Sequence, residues 1–214
     1  MDFGRSFQFV FEDTDWLKKI AIMALVNLIP VVGQLVLLGW GAEIIRRTTN
    51  GTDLPLPDLD FGEQLGVGFR LAVVGFVYSL PLLVLLIIMF AVSGIAIGMD
   101  NDASSIISIM SFLCFGGLAI IYSIAMFLIL PAAYANSTMK GSISDGLRIG
   151  EVFGYVKNNF GAYLIVFLGF LLAVIGASLI GVIACFIGVF FTTIYANAII
   201  MHLTGQAYKL SIEA

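Results

Sequence analysis

The longest charge-free stretch of the chain is the feature that most constrains its fold. Residues 160–208 contain no Asp, Glu, Lys or Arg. As one α-helix they would extend about 70 Å, more than twice the hydrocarbon thickness of a bilayer. The stretch must therefore fold back inside the membrane. The sequence GASLIG at 176–181 predicts the turn, with spans of about 161–179 and 183–205 on either side.

Two further charge-free stretches, 71–99 and 103–139, predict spans of about 66–97 and 104–133. The composition agrees, because 60% of the residues are hydrophobic and only 11% are charged. A soluble domain carries roughly 25% charged residues, so a water-facing surface is excluded. The sequence predicts an all-α integral membrane bundle. It would form one multi-pass transmembrane domain over 1–214, embedded in the lipid bilayer of the cell membrane.

The segment 16–47 is also apolar, but it is interrupted near its middle. Pro30 and Gly33 break the helical pattern, and the polar residues Asn27 and Gln34 flank them. Proline removes a backbone hydrogen bond, and freed backbone groups at membrane depth need partners. We expect the amides of Asn27 and Gln34 to supply those partners. The segment is either a re-entrant hairpin or a kinked full span.

The positions of the basic residues favour the re-entrant hairpin. If the segment dips into the membrane and returns, all ten basic residues and both termini lie on the cytoplasmic side, where Lys and Arg are enriched. A full span would place some of them outside. The outer loops would then be the acidic 98–104 and the short turn near 180. The ten residues are Arg5, Lys18, Lys19, Arg46, Arg47, Arg70, Lys140, Arg148, Lys157 and Lys209.

Two connecting segments have features of their own. The linker 48–63, rich in Pro and Asp, is predicted as a cytoplasmic loop, with Asp60 capping the next helix. The connector 142–158 has apolar residues at helical spacing and a capping Ser142, which predicts an amphipathic helix. This helix either packs beneath the bundle or contacts lipid or a partner, and we favour packing.

A stripe of small residues follows the fourth charge-free helix at intervals of four: Gly169, Ala173, Ala177 and Gly181. Such a stripe lets helix backbones approach closely in lipid. Gly94 and Gly98 repeat the spacing near the end of the first full span. Packing within the bundle is the favoured interpretation, and association with a second copy or another membrane protein is the alternative.

Residues with catalytic potential are few. The single histidine, His202, is interpreted as a packing residue, and Cys114 and Cys185 lie in apolar runs as inert, buried thiols. We expect no catalytic residues, no cofactor and no metal. The net charge of −4 argues against nucleic acid as a partner.

Two functions remain open. The chain is either a non-enzymatic scaffold, accessory or envelope-organising protein, or a transporter or channel for a small neutral or lipid-like solute. The second reading would need a polar cavity lined by Asn27, Gln34 and Tyr195.

Several short motifs carry a resemblance to known proteins, namely Asp15-Trp-Leu-Lys-Lys19, Leu28-Ile-Pro-Val-Val-Gly33, Gly39-Trp-Gly41, Arg46-Arg47, Leu54-Pro-Leu-Pro57 and Gly75-Phe-Val-Tyr-Ser-Leu-Pro81. The chain resembles a family of uncharacterised bacterial and archaeal integral membrane proteins, classed as a domain of unknown function. Its later layout is similar to membrane domains that accompany some glycerophosphodiesterases. The resemblance implies a polytopic α-helical fold and no catalytic residues.

Overall fold

The computed structural model describes residues 1–52, 54–98, 102–183 and 187–213, and every regular element in these ranges is helical. This confirms the all-α class. A π-helical turn, Phe112–Gly116, joins the helices Asp102–Ser111 and Gly117–Lys140. The helices are α1 (Phe3–Glu12), α2 (Trp16–Asn27), α3 (Val32–Thr49), α4 (Phe61–Ile97), α5 (Asp102–Ser111), α6 (Gly117–Lys140), α7 (Ile143–Gly146), α8 (Ile149–Asn158), α9 (Phe160–Ile183) and α10 (Ile187–Glu213).

Within the described ranges, four helical segments are long and apolar enough to cross a membrane. They are Phe61–Ile97, Ser104–Lys140, Phe160–Gly181 and Gly188–Glu213. Their mean hydropathy lies between 1.2 and 2.8, and the shortest has 22 residues, which exceeds the roughly 20 that a span requires. The prediction of four apolar spans is confirmed.

The chain divides into two compact units. The first, the packed unit, comprises Met1–Val74 and Leu128–Ala214. Its core forms where α1, α2 and α3 pack on α10, and Trp40, Phe9 and Ile199 are almost completely buried there. Half of the apolar window of α10 is buried, so this last helix is the centre of the packed unit.

Close glycine contacts show the directions of the helices around α10. Gly41 of α3 lies against Met201, and Ile45, one turn later, lies against Gly205. Residue numbers therefore increase together, and α3 runs parallel to α10. Gly169 of α9 lies against Leu203, whereas Gly181 lies against Val189, so α9 runs antiparallel to α10.

The second unit, Gly75–Phe127, is the apolar hairpin formed by the later part of α4, α5 and the start of α6. Two hydrogen bonds join separate helices among its described residues: the Tyr122 hydroxyl donates to the Tyr78 carbonyl at 2.7 Å, and the Ser111 hydroxyl donates to the Met89 carbonyl at 3.2 Å. Most of its large apolar side chains are exposed. A surface of this composition is suited to lipid or to other membrane helices.

The predicted turn at 176–181 is wrong, because these residues continue α9, which ends at Ile183, and α10 begins at Ile187. The Ser178 hydroxyl donates to the Val174 carbonyl one turn earlier and so stays within the helix. Gly181 serves close packing against Val189 instead of a turn. Cys185 and residues 99–101 of the predicted acidic loop at 98–104 lie outside the described residues.

Two smaller expectations also need correction. Cys114 is exposed on the π-helical turn and not buried, because an apolar run in a spanning helix can face lipid instead of protein. The connector forms two helices, with Ser142 capping α7 by accepting from the Asp145 N–H. In α8, Val152 is buried as expected, but Phe153 is 54% exposed.

Candidate functional site

The predicted break in the first apolar segment is a tight turn between α2 and α3. The Ile29 N–H donates to the Val26 carbonyl at 3.0 Å, and the Gly33 N–H donates to the Ile29 carbonyl at 2.9 Å. The backbone thus closes on itself, so the expectation that Asn27 and Gln34 supply the partners is wrong. A Cβ on Gly33 would lie 2.1 Å from the Val26 carbonyl oxygen, which explains the glycine.

The side chains around this turn do not form a polar cluster. The Asn27 amide oxygen is buried without a hydrogen-bond partner, whereas Gln34 is exposed. The tip of the turn is apolar. Leu28 is 50% exposed and Val31 is 67% exposed, while Pro30 and Ile29 between them are also exposed. An apolar tip of this kind is unfavourable in water and favourable in lipid.

Glycines allow α3 and α4 to cross at van der Waals distance within the packed unit. A Cβ on Gly39 would lie 1.8 Å from the Gln64 carbonyl oxygen, and one on Gly68 would lie 1.7 Å from the Leu35 carbonyl oxygen. Neither backbone can give way without separating the helices. This crossing therefore fixes the start of α4, and with it Gln64, against α3.

A buried carboxylate fastens the N-terminal helices to the linker that follows α3. The Asp13 side chain is only 2% exposed and accepts from the Lys19 ammonium at 3.0 Å. It also accepts from the backbone N–H groups of Asp15 and Leu56, both at 2.7 Å. Lys19 donates in addition to the Leu56 carbonyl. We call Asp13, Lys19 and Leu56 the clasp.

The clasp changes the acidity of its carboxyl group. Burial alone would raise the pKa of Asp13, but the hydrogen bonds from Lys19 and from the two backbone N–H groups outweigh it. The pKa of Asp13 is therefore held below its ordinary value. The carboxylate is charged at neutral pH, and that charge is compensated.

His202 lies in a buried polar group where α1 meets α10. Its Nδ1 is 2.8 Å from the Ser6 hydroxyl and 3.1 Å from the Gln206 amide nitrogen, and its ring stacks on Phe9 at 4.2 Å. Gln206 also accepts from the Asp2 N–H. These contacts dock α1 onto α10.

The small-residue stripe of α9 lies against α10. A Cβ on Gly169 would lie 2.2 Å from Leu203, and Ala173 is 5% exposed. The Ala177 carbonyl accepts from the Thr192 hydroxyl at 3.0 Å, and Gly181 meets Val189. Contacts within the chain therefore occupy this stripe. By contrast, nothing within 4 Å would meet a Cβ on Gly94 in the apolar hairpin.

A charged cavity of about 280 Å³ lies where α3 ends and α4 begins. Glu43 pairs with both Arg46 and Arg47, as expected from their helical spacing. Asp60 caps α4 by accepting from the Glu63 N–H at 3.1 Å, which was also expected. The lining residues are Gly39, Ala42, Glu43, Arg46, Arg47, Pro57, Asp58, Asp60, Glu63, Gln64, Val67, Arg70 and Thr138.

A second cavity, of about 260 Å³, lies between α3, α9 and α10. It is mostly apolar, but it contains the side chain of Asn197, whose amide oxygen is buried without a hydrogen-bond partner. Of the residues expected around a solute path, Asn27 and Gln34 line neither cavity. Tyr195 lines neither cavity, and its hydroxyl donates to the Phe7 carbonyl at 2.6 Å.

The fold and these contacts define a class, that of multi-pass α-helical membrane proteins. Within the described residues, no group of three His, Cys, Asp or Glu side chains is arranged to hold a metal ion.

Residues 22–204 match the profile of the DUF4013 family, described as a protein of unknown function, and the chain belongs to that family. Comparison with curated proteins and with solved structures gave no significant match. The expected similarity to glycerophosphodiesterase membrane domains therefore finds no support in these comparisons.

Proposed function

We propose that the protein is a non-enzymatic, multi-pass protein of the cell membrane that acts through helix packing, as a scaffold, accessory subunit or envelope-organising factor. The observation that carries the proposal is the unequal burial of its spans. Half of the apolar window in Gly188–Glu213 is buried, compared with 17% in Phe61–Ile97 and 6% in Ser104–Lys140. The helix Gly188–Glu213 therefore forms the centre of the packed unit, whereas most of the apolar surface of Phe61–Ile97 and Ser104–Lys140 is not buried.

The free surface of the apolar hairpin is where association with another membrane protein or a second copy is proposed. Small residues promote helix association in lipid. The stripe on α9 is occupied by α10, whereas Gly94 is exposed and has open space around it. The hairpin therefore offers an open glycine position of the kind that the stripe on α9 does not.

Cross-linking in native membranes tests this function. The experiment uses a Cys114→Ala, Cys185→Ala background that carries Gly94→Cys on the hairpin. We expect cross-linked species of defined mass, corresponding to a dimer or to one recurrent membrane partner. Leu172→Cys is the matched control, because Leu172 is 55% exposed on α9. A protein that stays monomeric at both positions would contradict the scaffold function.

We also propose that α2 and α3 form a re-entrant hairpin, with both termini cytoplasmic. The direction of α3, parallel to α10, supports this, because the linker after α3 then lies at the same end as the C-terminal end of α10. The apolar tip at Leu28 and Val31 supports insertion into lipid. A topology reporter inserted after Thr52 should report the same side as one at the N-terminus, and a reporter on the opposite side would favour a full span.

With both termini on the cytoplasmic side, α8 is proposed to lie at the membrane interface beneath the bundle. Val152 faces inward, while Ile149 and Phe153 are exposed. Glu151 receives hydrogen bonds from Lys140 and from the Tyr155 hydroxyl, which hold the pKa of its carboxyl below the ordinary value. The polar side of the helix is thereby fixed to the end of α6, and its exposed apolar residues are proposed to meet the lipid surface.

Passage of a small neutral solute is a second candidate function, and Asn197 favours it. Its unpartnered amide oxygen in an apolar cavity can accept a hydrogen bond from a hydroxyl. Proteoliposomes should then release glycerol faster than empty liposomes, and Asn197→Leu should abolish the difference. Equal release from both kinds of liposome would remove this candidate.

A further inference from the structure

The charged cavity between α3, the linker and α4 has the features of a ligand site. It lies at the first turns of Phe61–Ile97, a candidate span, so it is near one end of a membrane-crossing helix. This position holds whichever side of the membrane the cavity faces. Its residues come from α3, the linker, α4 and the end of α6, and the Gly39–Gly68 crossing holds α3 and α4 together.

Three polar atoms of the lining are buried without a hydrogen-bond partner: Gln64 Oε1, Arg70 Nε and Thr138 Oγ1. Gln64 is 5% exposed, and its Nε2 donates to the Asp58 carbonyl at 2.8 Å. This bond fixes the orientation of the Gln64 amide, because a flipped amide would place Oε1 against the Asp58 carbonyl oxygen. Buried polar groups in native proteins are normally satisfied, so each of these three needs an explanation.

The charges of the lining show which partner would satisfy these atoms. Arg46 and Arg47 are both paired with Glu43. Arg70 donates from Nη1 to the Gly141 carbonyl at 2.6 Å and makes no ion pair with any residue that the structure describes. Its guanidinium therefore keeps an unmatched positive charge. Opposite in sign, Asp58, Asp60 and Glu63 also line the cavity, where Asp58 lies 3.5 Å from the Lys19 ammonium and Glu63 lies 4.0 Å from Arg46.

We propose that this cavity binds a phosphoethanolamine group. Phosphate oxygens would accept from Arg70 Nε–H and from the Thr138 hydroxyl, and the ammonium would donate to Gln64 Oε1 and the neighbouring carboxylates. A simple anion would face four carboxylates in the lining, and a simple cation would leave the arginine donors unsatisfied. The position at the end of a span makes the headgroup of phosphatidylethanolamine the favoured source.

Native mass spectrometry of the full-length protein in detergent tests the proposal. The probes are short-chain phosphatidylethanolamine, the matching phosphatidylglycerol, and soluble glycerophosphoethanolamine. We expect saturable binding of the ethanolamine lipid, about tenfold tighter than the glycerol lipid. Tighter binding of the lipid than of the soluble compound identifies a lipid headgroup. Equal binding of the two ethanolamine compounds identifies a soluble occupant of the same site.

Two variants and one control make the result specific to this cavity. Thr138→Val keeps the shape of the side chain and removes its hydroxyl, and Arg70→Gln removes the unmatched charge. We expect each to weaken ethanolamine-lipid binding by about tenfold or more. Arg148→Gln, on an exposed arginine outside the cavity, should leave binding unchanged. Equal binding of the two lipids, or wild-type binding by a folded Thr138→Val protein, would overturn the proposal.

Discussion

The packed unit and the apolar hairpin have similar apolar helices but different means of support. In the packed unit, Trp40, Tyr163 and Ile194 have no exposed surface, and hydrogen bonds tie distant segments together. In the hairpin, Ile87 and Ile120 are each about two-thirds exposed. Mean hydropathy separates Gly188–Glu213, at 1.2, from the two spans of the hairpin, at 2.8 and 2.4, but it does not separate Phe160–Gly181, at 2.7. Small residues at helix crossings and buried polar contacts mark the helices that pack on protein.

The largest expected effect is on a buried aromatic side chain. Trp40→Ala removes a side chain that has no exposed surface and whose Nε1 donates to the Pro57 carbonyl at 2.9 Å. We expect a loss of about 4 kcal/mol of unfolding free energy. Phe76→Ala in the hairpin, at 59% exposure, should change the thermal midpoint in detergent only slightly. Equal losses at both positions would break the distinction between the two units.

Two glycines provide a sharper test, because both substitutions add only one methyl group. Gly39→Ala places a Cβ against the Gln64 carbonyl and must separate α3 from α4, at a cost of about 3 kcal/mol. Gly94→Ala meets nothing within 4 Å and should gain up to about 1 kcal/mol from helix propensity. Thermal unfolding of both variants in the same detergent measures the difference. A Gly39→Ala protein as stable as the wild type would show that α3 and α4 do not cross in van der Waals contact at this position.

The clasp is expected to contribute less than these core positions. Asp13→Asn keeps the shape of the side chain but removes the buried partner of Lys19 and leaves it only the exposed carboxylate of Asp58 at 3.5 Å, so we expect a loss of about 2 kcal/mol. Glu12→Gln is the control, because Glu12 pairs with Arg5 at an exposed site and should change stability by less than about 1 kcal/mol. Equal effects of the two variants would remove the structural role of the clasp.

The smallest expected effect is the pH dependence of the same carboxylate. Because the folded pKa of Asp13 lies below its ordinary value of 3.8, the stabilisation is complete at neutral pH. It should be lost as the pH falls below about 4 and through the folded pKa. Thermal midpoints of the wild type and Asp13→Asn should therefore converge on acidification. A constant difference between them down to pH 3 would contradict this assignment.

The apolar helices could be predicted from the sequence because a local property, the length of a charge-free run, determines them. It did not predict α1, whose ten residues include Arg5 and Glu12 and whose stability comes from docking on His202 and Gln206, about 200 residues away. The clasp was missed for the same reason, since Leu56 lies 43 residues from Asp13. The one sequence feature of α1 that reflects this docking is the apolar pair Phe9 and Val10, which is buried on one face of the helix.

The prediction of a turn at 176–181 is wrong because small residues form turns in water but are compatible with a continuous helix in lipid, where Gly181 packs closely on Val189. The candidate cavity could not be predicted from the sequence either. Gln64 and Thr138 are 74 positions apart, and only the crossing of α3 and α4 together with the end of α6 brings them to one cavity. Local pairs such as Glu43 with Arg47 were predictable because helix geometry alone sets them.

The depth of the turn between α2 and α3 tests the central claim most directly. Single nitroxide labels at Val31, at Ile120 of the hairpin and at Thr52 of the linker are compared for collision with oxygen and with a water-soluble nickel chelate. Val31 should behave like Ile120, accessible to oxygen and protected from the chelate, while Thr52 should be accessible to the chelate. If the label at Val31 collides with the chelate as freely as the label at Thr52, the turn lies in water and the re-entrant hairpin is wrong.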